Sequence, residues 1–385
     1  MNQVNVNSKK NIVIAGGGTG GHIYPGVAIA KALQQIDPQV QIHFVGTPSG
    51  LETKIIPREG FPLHLISVGK LNQSGSFLSP LKTLIGLPLA FLKCIKLLLE
   101  LKPVAVLGVG GYASGPFVLM ASFLGPFLNC KTMIWEPNAY PGMTNRWLSR
   151  FVQRCFVVFN ESKIFLKSKN IDQVGLPVRK ELENIGQLKV SVAQEPNKDF
   201  KILIFGGSQG ARAINKVVSA TILESLQKNN PSSLHWLENV KIIHQTGPHD
   251  FEEISQQYQN LPAPFKDNIL AQAFIYDMDV KYQWADLVIC RSGASTVAEL
   301  AACAKPSVLI PLPTAADDHQ KKNALALADK HAAILLEQKL LNAENLIQFV
   351  DDLKINIQKR AEMMTQVHTF FVPQAAETIA HKILE

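Results

Sequence analysis

One stretch near the start of the chain reads NIVIAGGGTGGH (residues 11–22), and an amphipathic helical pattern follows it through Leu33. A second stretch, KILIFGGSQGA (residues 201–211), repeats this order of apolar strand, glycine-rich loop and helix, which continues through Leu223. Short apolar strands that alternate with helices are typical of parallel sheets with both faces covered. Because each stretch is placed to open a sheet of its own, the sequence predicts an α/β protein of two Rossmann-like domains, with parallel sheets facing across a cleft.

Other segments repeat this order of strand, loop and helix. Residues 104–109 predict a buried strand, followed by a glycine loop and a helix opened by Pro116. Further strands are predicted at residues 240–245, 286–290 and 307–310. Residues 104–130 carry no charge and exceed the roughly 18 apolar residues that suggest a membrane span. Their glycines and prolines favour a strand, a loop and a helix instead.

Length and composition narrow the class of protein. The 385 residues suit two domains, and 46% apolar with 18% charged residues exclude a disordered or collagen-like chain. Lys and Arg exceed Asp and Glu by 38 − 31 = 7, which favours an anionic partner such as nucleic acid, anionic lipid or a phosphorylated metabolite. The five cysteines are widely spaced, which argues against a disulfide framework or a structural zinc site and favours a reducing cytoplasm.

The ends and the middle of the chain suggest how it divides. Residues 1–10 are polar and lack the features of a signal peptide. The turn at residues 175–177 and the polar segment 187–199 mark a boundary, with a hinge near residue 178. We therefore expect an N-terminal domain at 1–178 and a C-terminal domain at 179–365, with a helix at about 366–385 packing back on the first domain.

The first glycine loop has the G-x-G-x-x-G spacing at Gly16, Gly18 and Gly21, which lets a backbone approach a diphosphate at a helix N-terminus. A nicotinamide or flavin site would also need an acidic residue after the second strand. The predicted second strand, 41–45, ends in Gly-Thr-Pro, so a dehydrogenase is disfavoured. A turn required only by packing would explain the glycines but not the polar Thr19 and His22 beside them.

His22 lies in the first turn of the predicted helix, where the helix dipole favours the neutral imidazole that a general base needs. An isolated histidine is more often a surface or capping residue. The second glycine loop, at 206–212, offers backbone N–H groups and the Ser208 hydroxyl to an anion.

Two later loops carry polar residues with alternative interpretations. In RSGASTVAE (residues 291–299), Thr296 and Glu299 have the spacing of a capping box, but the carboxylate could also take both hydroxyls of a ribose. Residues 317–324 by themselves fit a solvated helix start. Asp277 and Asp279 could form a metal-binding pair, although helix-start aspartates explain them as well. No other cluster has metal-ligand spacing, so we expect no required metal.

Six motifs occur together in one order along the chain. They are GGTGGH (17–22), GGYASGP (110–116), PGMTN (141–145), GGSQGA (206–211), RSGA (291–294) with Glu299, and HQ (319–320) with NA (323–324). In this set the chain resembles, over nearly its whole length, the undecaprenyldiphospho-muramoylpentapeptide β-N-acetylglucosaminyltransferases (the MurG family). The resemblance implies the GT-B fold, no cofactor, and transfer of N-acetylglucosamine from UDP-N-acetylglucosamine to the muramoyl 4-hydroxyl of lipid I, giving lipid II with inversion.

The resemblance also implies roles for single residues. The substrate-binding residues it implies are Thr19, Gly20, Gly21, Asn138, Arg179, Ser208, Ile275, Ala294, Ser295, Thr296, Val297, Ala298, Glu299 and Gln320. Ser208 would contact the diphosphate, Ile275 the uracil and Glu299 the ribose. Residues 294–296 and Gln320 would contact the diphosphate and sugar, with Arg179 and Asn138 closing over the donor. The loop 19–21 would face the acceptor diphosphate and the transferred sugar, with His22 as catalytic base.

The chain departs from the family where the usual His-Glu-Gln-Asn is Trp135-Glu136-Pro137-Asn138. This puts in doubt any role for the first and third positions. A lipid-linked acceptor implies peripheral attachment to the cytoplasmic face of the membrane, where the chain would contact an anionic surface. We expect no nucleic-acid partner. A candidate apolar patch with a basic rim is formed by Phe77, Leu78, Leu81, Leu84, Ile85, Leu87, Leu89, Phe91 and Leu92 with Lys70, Lys82, Lys93 and Lys96. Ordinary helix core would explain these apolar residues equally well.

Two other functions remain open. A different sugar-nucleotide enzyme on the same fold, such as an epimerase or a transferase with a soluble acceptor, would share the donor loops. A non-catalytic module that binds nucleotide-sugars or lipid-linked sugars is weakly favoured by the departures at Trp135 and Pro137.

Overall fold

The computed structural model describes residues 10–67, 79–189, 199–227 and 234–385. The chain divides into two compact units, each built around a parallel sheet. Unit 1 comprises Met1–Pro177 with Gln374–Glu385, and unit 2 comprises Val178–Pro373. Of the segments discussed above, 1–9, 68–78 and 190–198 lie outside the described residues.

Unit 1 contains a seven-stranded sheet in the order β3-β2-β1-β4-β5-β6-β7. Its strands are β1 (Lys10–Gly16), β2 (Val40–Gly46), β3 (Leu63–Leu65), β4 (Ala105–Gly110), β5 (Lys131–Glu136), β6 (Arg154–Val157) and β7 (Ile171–Gln173). Its first helices are α1 (Gly20–Ile36), α2 (Glu52–Arg58), α3 (Ser79–Leu101), α4 (Ser114–Leu128) and α5 (Met143–Leu148). All neighbouring strands pair in parallel, so every strand ends at the same edge.

The central strand β1 explains why the opening stretch dominates the fold. Residues 12–15 are completely buried, as expected for a strand covered by helices on both faces. The strand order reverses between β1 and β4, which makes the loops after these two strands the expected ligand site of an open α/β sheet.

The uncharged stretch 104–130 forms β4, a turn and α4, as its glycines and prolines predict. Pro116 lies in the first turn of α4, where a missing N–H costs no helical hydrogen bond. Within the described ranges, no helix is long and apolar enough to cross a membrane.

Unit 2 contains a six-stranded parallel sheet in the order β10-β9-β8-β11-β12-β13. Its strands are β8 (Phe200–Phe205), β9 (Val240–Gln245), β10 (Ile269–Gln272), β11 (Leu287–Cys290), β12 (Ser307–Leu309) and β13 (Ile334–Leu335). Its helices are α6 (Lys180–Lys189), α7 (Arg212–Gln227), α8 (Phe251–Gln259), α9 (Phe265–Asn268), α10 (Met278–Trp284), α11 (Ala294–Ala302), α12 (His319–Ala328), α13 (Ala343–Ile355) and α14 (Ile357–His368). The strand order reverses between β8 and β11, which brings the second glycine loop to the corresponding edge.

The last helix, α15 (Ala375–Leu384), begins later than the predicted start at about residue 366. Residues 366–368 instead complete α14 in unit 2. Pro373 disfavours helical geometry in the residue before it, and Gln374 takes a left-handed φ of 53°. Helix α15 packs against α1, and Lys382 pairs with Asp172 at 3.1 Å.

Candidate active site

The loop after β1 carries Thr19, Gly20 and Gly21. Helix α1 begins at Gly20, and its N-cap residue Thr19 makes no side-chain capping bond. Thr19 and Gly21 are exposed and Gly20 is partly exposed. Backbone N–H groups at the start of a long helix favour an anion, so this loop has the chemistry of a phosphate site.

A buried carboxylate supports this loop and was missed in the sequence. Glu52 is 1% exposed and its Oε2 accepts a hydrogen bond from the Gly18 N–H at 2.7 Å. Its Oε1 accepts from the Thr47 N–H at 2.8 Å and the Thr47 hydroxyl at 2.9 Å. A Cβ added at Gly50 would lie 1.9 Å from Oε2, so the glycine allows the close approach. Since the Gly18 N–H is already used, an anion has to use the N–H groups that follow it.

His22 lies where the loops after β1 and β4 meet. A Cβ added at Gly110 would lie 2.7 Å from the Cε1 and Nδ1 atoms of the His22 ring. A Cβ at Gly111 would lie 2.3 Å from the Gly17 carbonyl oxygen, and the Gly17 N–H donates to the Gly110 carbonyl at 3.2 Å. The structure therefore brings the first two motifs together around a partly exposed imidazole.

The loop after β5 is built around the carboxylate of Glu136. It accepts hydrogen bonds from the N–H and Nδ2 of Asn138 at 3.0 and 3.1 Å, from the Gly142 N–H at 3.0 Å and from Asn145 Nδ2 at 2.8 Å. Burial raises the pKa of Glu136, whereas these four donors lower it. Glu136 thereby fixes the position of Asn138.

The departure at Trp135 has a structural explanation. The Trp135 side chain is completely buried, and its Nε1 donates to the Gly175 carbonyl at 3.4 Å. This indole therefore connects the end of β5 to the turn that ends unit 1 and does not face the site.

In unit 2, Ser208 is exposed in the loop after β8, beside the N-terminus of α7. Gln245 was missed in the sequence, but it connects the residue before Ser208 to the predicted donor contact Ile275. Its Nε2 donates to the Gly207 carbonyl at 2.9 Å, and its Oε1 accepts from the Ile275 N–H at 3.1 Å. The Ile275 side chain is buried, so its carbonyl oxygen is the polar group it can offer to a base.

A buried histidine lies behind the second glycine loop. His244 Nε2 lies 3.1 Å from Asn215 Oδ1, and Nδ1 lies 3.0 Å from the Tyr258 hydroxyl. Burial lowers the pKa of His244 to about 3, so the imidazole is neutral. Asn215 Nδ2 donates to the Thr246 carbonyl and to Asp250, so Asn215 Oδ1 is the acceptor and the histidine proton lies on Nε2. The network joins α7 to β9, to the residues that follow β9 and to α8.

The capping-box interpretation of residues 296–299 is wrong, because α11 starts at Ala294 with Gly293 as N-cap. Glu299 is instead bound through Oε2 to the Tyr282 hydroxyl at 2.9 Å. Burial raises the pKa of Glu299, whereas the Tyr282 hydrogen bond and the Arg179 charge lower it.

The residues of the first turns of α11 differ in what they can offer. Ala294, Ser295 and Thr296 are partly exposed. Val297 and Ala298 are buried, and the Val297 N–H donates to the Gly293 carbonyl at 3.0 Å. The exposed start of the helix therefore lies at residues 294–296.

Gln320 is fixed at the start of α12. Its Oε1 accepts from the Leu312 N–H at 3.0 Å and its carbonyl accepts from the Ser292 hydroxyl at 2.8 Å. Asn323 Nδ2 donates to the Ser292 carbonyl at 3.2 Å. These bonds join the loops after β11 and β12 and leave Gln320 Nε2 as the donor for a ligand.

Asp277 and Asp279 lie at the start of α10, where helix-start aspartates are expected. Asp277 precedes α10 and pairs with Lys281 at 3.1 Å, which lowers its pKa. In the part of the chain that the structure describes, no group of three His, Cys, Asp or Glu residues is arranged to hold a metal ion.

Two parallel-sheet units with polar, glycine-rich loops at their carboxyl edges match the GT-B fold. Residues 12–157 match the glycosyltransferase family 28 N-terminal domain, and residues 201–379 match the family 28 C-terminal domain. The chain belongs to the family of UDP-N-acetylglucosamine–N-acetylmuramyl-(pentapeptide) pyrophosphoryl-undecaprenol N-acetylglucosamine transferases.

Similar proteins support this assignment over the full length. The chain is 50% identical over 380 residues to the transferase of that name from Bdellovibrio bacteriovorus, covering 98% of this chain and 99% of that protein. It is 42% identical over 369 residues to the Myxococcus xanthus transferase, covering 96% and 91%. The crystal structure of Acinetobacter baumannii MurG is 31% identical with a TM-score of 0.77, covering 97% and 99%.

Proposed function

We propose that this chain transfers N-acetylglucosamine from UDP-N-acetylglucosamine to the muramoyl 4-hydroxyl of lipid I, giving lipid II and UDP with inversion at C1. The observation that carries the proposal is the 50% identity, over nearly the whole of both chains, to a protein whose name states this transfer. The reaction belongs to peptidoglycan synthesis and therefore serves cell shape and division.

We assign the donor to residues 179–365. Exposed Ser208 beside α7 and residues 294–296 at the start of α11 suit the diphosphate, because both offer donors at helix N-termini. Glu299 suits the ribose hydroxyls, with Arg179 favouring its charged form. Gln320 offers Nε2 to the diphosphate and sugar.

The uracil is assigned to the backbone carbonyl of Ile275. The Ile275 N–H is occupied by Gln245, and the uracil N3–H is a donor that matches a carbonyl acceptor. Val297 and Ala298 contribute to the donor site indirectly, because their buried side chains pack the inner face of α11.

We assign the acceptor to residues 1–178, with the C-terminal helix supporting α1. Thr19, Gly20 and Gly21 suit the acceptor diphosphate, because they are exposed or partly exposed at the N-terminus of α1 and offer backbone N–H groups there. Asn138, which is bonded to Glu136, is assigned to close over the donor together with Arg179.

His22 is the proposed general base. As the muramoyl 4-hydroxyl attacks C1, its proton passes to the imidazole while the C1–oxygen bond to UDP breaks. The electron pair of that bond leaves with UDP, where helix N-termini and Ser208 stabilise the growing negative charge. The proposed steps use neither a metal nor another cofactor.

Peripheral attachment to an anionic membrane would bring the enzyme to its lipid-linked acceptor. On α3, Leu89 and Leu92 are 67% and 61% exposed, and on α4 Phe127 is 87% exposed. Lys93 and Lys96 are exposed on α3, the helix that carries the two leucines. Of the sequence-predicted patch, Lys70, Phe77 and Leu78 lie outside the described residues, as do the side chains of 79–87. Phe91, another residue of that patch, instead packs against the core of unit 1. Exposed leucines and lysines on one helix support attachment to an anionic leaflet.

Product analysis tests the proposal. The purified chain is incubated with UDP-N-acetylglucosamine and a lipid I analogue, and the linkage is determined by mass spectrometry and nuclear magnetic resonance. A β-linked N-acetylglucosamine on the muramoyl 4-hydroxyl supports the proposal. A free epimerised sugar nucleotide, sugar on a soluble acceptor, or UDP-sugar binding without turnover would each replace it with one of the other two functions.

A further inference from the structure

We infer that Tyr282 is a positioning residue for donor binding, because its hydroxyl holds the Glu299 carboxylate in the orientation that receives the ribose. The inference rests on the proposed donor site.

Tyr282 is itself shielded from any ligand. Its side chain is completely buried, and its ring meets Phe205 edge-to-face with centroids 6.2 Å apart. The hydroxyl donates to Glu299 Oε2 at 2.9 Å. Glu299 itself remains partly exposed. Tyr282 therefore can act on the donor only through the glutamate.

The hydrogen bond from Tyr282 fixes the orientation of the Glu299 carboxylate. A glutamate has three rotatable bonds, and a carboxylate that takes two adjacent ribose hydroxyls has to present its oxygens in one orientation. An ionised carboxylate has about four lone-pair sites, so Oε2 can accept from Tyr282 and still accept from a ligand. Anchoring one oxygen fixes the plane of the group and removes part of the ordering cost of binding.

The same bond favours the charged form of Glu299. The groups that influence this carboxylate are the Tyr282 hydroxyl and the Arg179 guanidinium, which oppose the effect of burial. Cys290 and Cys303 are the other titratable groups around the Tyr282 phenol. The pKa of Tyr282 is raised well above its ordinary value, so the phenol keeps its proton and remains a donor.

Calorimetry of the Tyr282→Phe variant tests the inference with two ligands, UDP and 2′,3′-dideoxy-UDP. The substitution keeps the ring and its contact with Phe205. We expect the Kd for UDP to rise about tenfold, since hydrogen bonds to charged groups are the stronger class. The Kd for dideoxy-UDP, which lacks both ribose hydroxyls, is expected to stay within about twofold. That second ligand also reports that the variant is folded.

Three further readouts separate positioning from a general structural role. The KM for UDP-N-acetylglucosamine should rise while kcat at saturating donor stays within about twofold. In the variant, Glu299 loses a donor that favours its charged form, so its pKa should rise. As the pH is lowered, UDP binding should therefore begin to weaken at a higher pH than in the unmodified chain. In a Glu299→Gln background, adding Tyr282→Phe should change the Kd for UDP no further.

Equal weakening of UDP and dideoxy-UDP binding by Tyr282→Phe would overturn the inference, as would an unchanged Kd for UDP. An additive effect of the two substitutions would also overturn it. A separate result tests the underlying proposal: if Glu299→Gln alone leaves UDP binding unchanged, the ribose assignment of Glu299 fails, whatever Tyr282 does.

Discussion

Glu52→Gln removes one of the hydrogen bonds that support the first glycine loop. In the unmodified chain, Glu52 Oε2 accepts from the Gly18 N–H at 2.7 Å and Oε1 accepts both hydrogen bonds of Thr47. In the variant, the amide oxygen of Gln can keep both Thr47 bonds, but the amide NH₂ group then faces the Gly18 N–H, and two donors cannot bond. The lost bond is charge-assisted, and such bonds contribute about 1.5–3 kcal/mol. At about 1.4 kcal/mol per tenfold, hydrogen exchange at Gly18 should become about ten- to a hundredfold faster.

The assay is hydrogen exchange of the peptide covering residues 12–24, together with steady-state kinetics. The KM for the acceptor lipid should rise about tenfold, since the proposed acceptor loop loses its support. The Kd for UDP should not change, because Glu52 lies in unit 1. Unchanged exchange at Gly18 would refute the role of Glu52, and weakened UDP binding would show that the substitution acts on more than this loop.

Glu59→Gln is the matched control. Glu59 pairs with Lys31 at 2.6 Å, and Lys31 is exposed while Glu59 is partly exposed. Exposed pairs of this kind contribute about 0–1 kcal/mol, so neither Gly18 exchange nor the acceptor KM should change measurably.

Three further predictions address the base, the membrane surface and the buried histidine. His22→Ala should lower kcat by about 10²–10⁴-fold in the transfer assay, because it removes the proposed general base, while UDP binding stays intact. Lys93→Glu with Lys96→Glu should weaken cosedimentation with anionic vesicles, because each basic residue near such a surface contributes about 1 kcal/mol. Stability should fall as the pH falls from 6.5 towards 3, because the unfolded state protonates His244 and the folded state does not. At pH 5 the loss is about 2 kcal/mol in urea unfolding, and His244→Gln should remove it.

Each of these predictions has a contradicting result. Full turnover by His22→Ala would remove the assignment of the base. Unchanged sedimentation of the double lysine variant, with neutral vesicles as the control, would remove the basic rim. An equally steep pH dependence in His244→Gln would assign the loss of stability to other groups.

The sequence predicted the sheet architecture well because the strands are nearly continuous apolar runs. The completely buried residues 12–15 are one such run, and residues 240–245 form β9 with the predicted bounds. The loop positions followed from the glycines, since each loop comes directly after a strand. These features depend on neighbours in the sequence, which is why they could be predicted.

The supporting residues could not be predicted in the same way. Glu52 had the ordinary appearance of an acidic residue at a helix start, although it contacts Gly18, which is 34 residues away in the sequence. Tyr282 and Glu299 lie on different helices, and Gln245 bridges two loops. Such contacts arise only when the parallel strands place their loops side by side. Trp135 and its hydrogen-bond partner Gly175 are likewise far apart, 40 residues, in the sequence.

The most direct test of the central claim is transfer of labelled sugar from UDP-N-acetylglucosamine into the butanol-extractable fraction, with a lipid I analogue as acceptor and EDTA present. The account predicts label in the lipid phase, resistance to the chelator, and no comparable transfer from UDP-N-acetylgalactosamine. UDP binding without any label in the lipid phase would contradict the account.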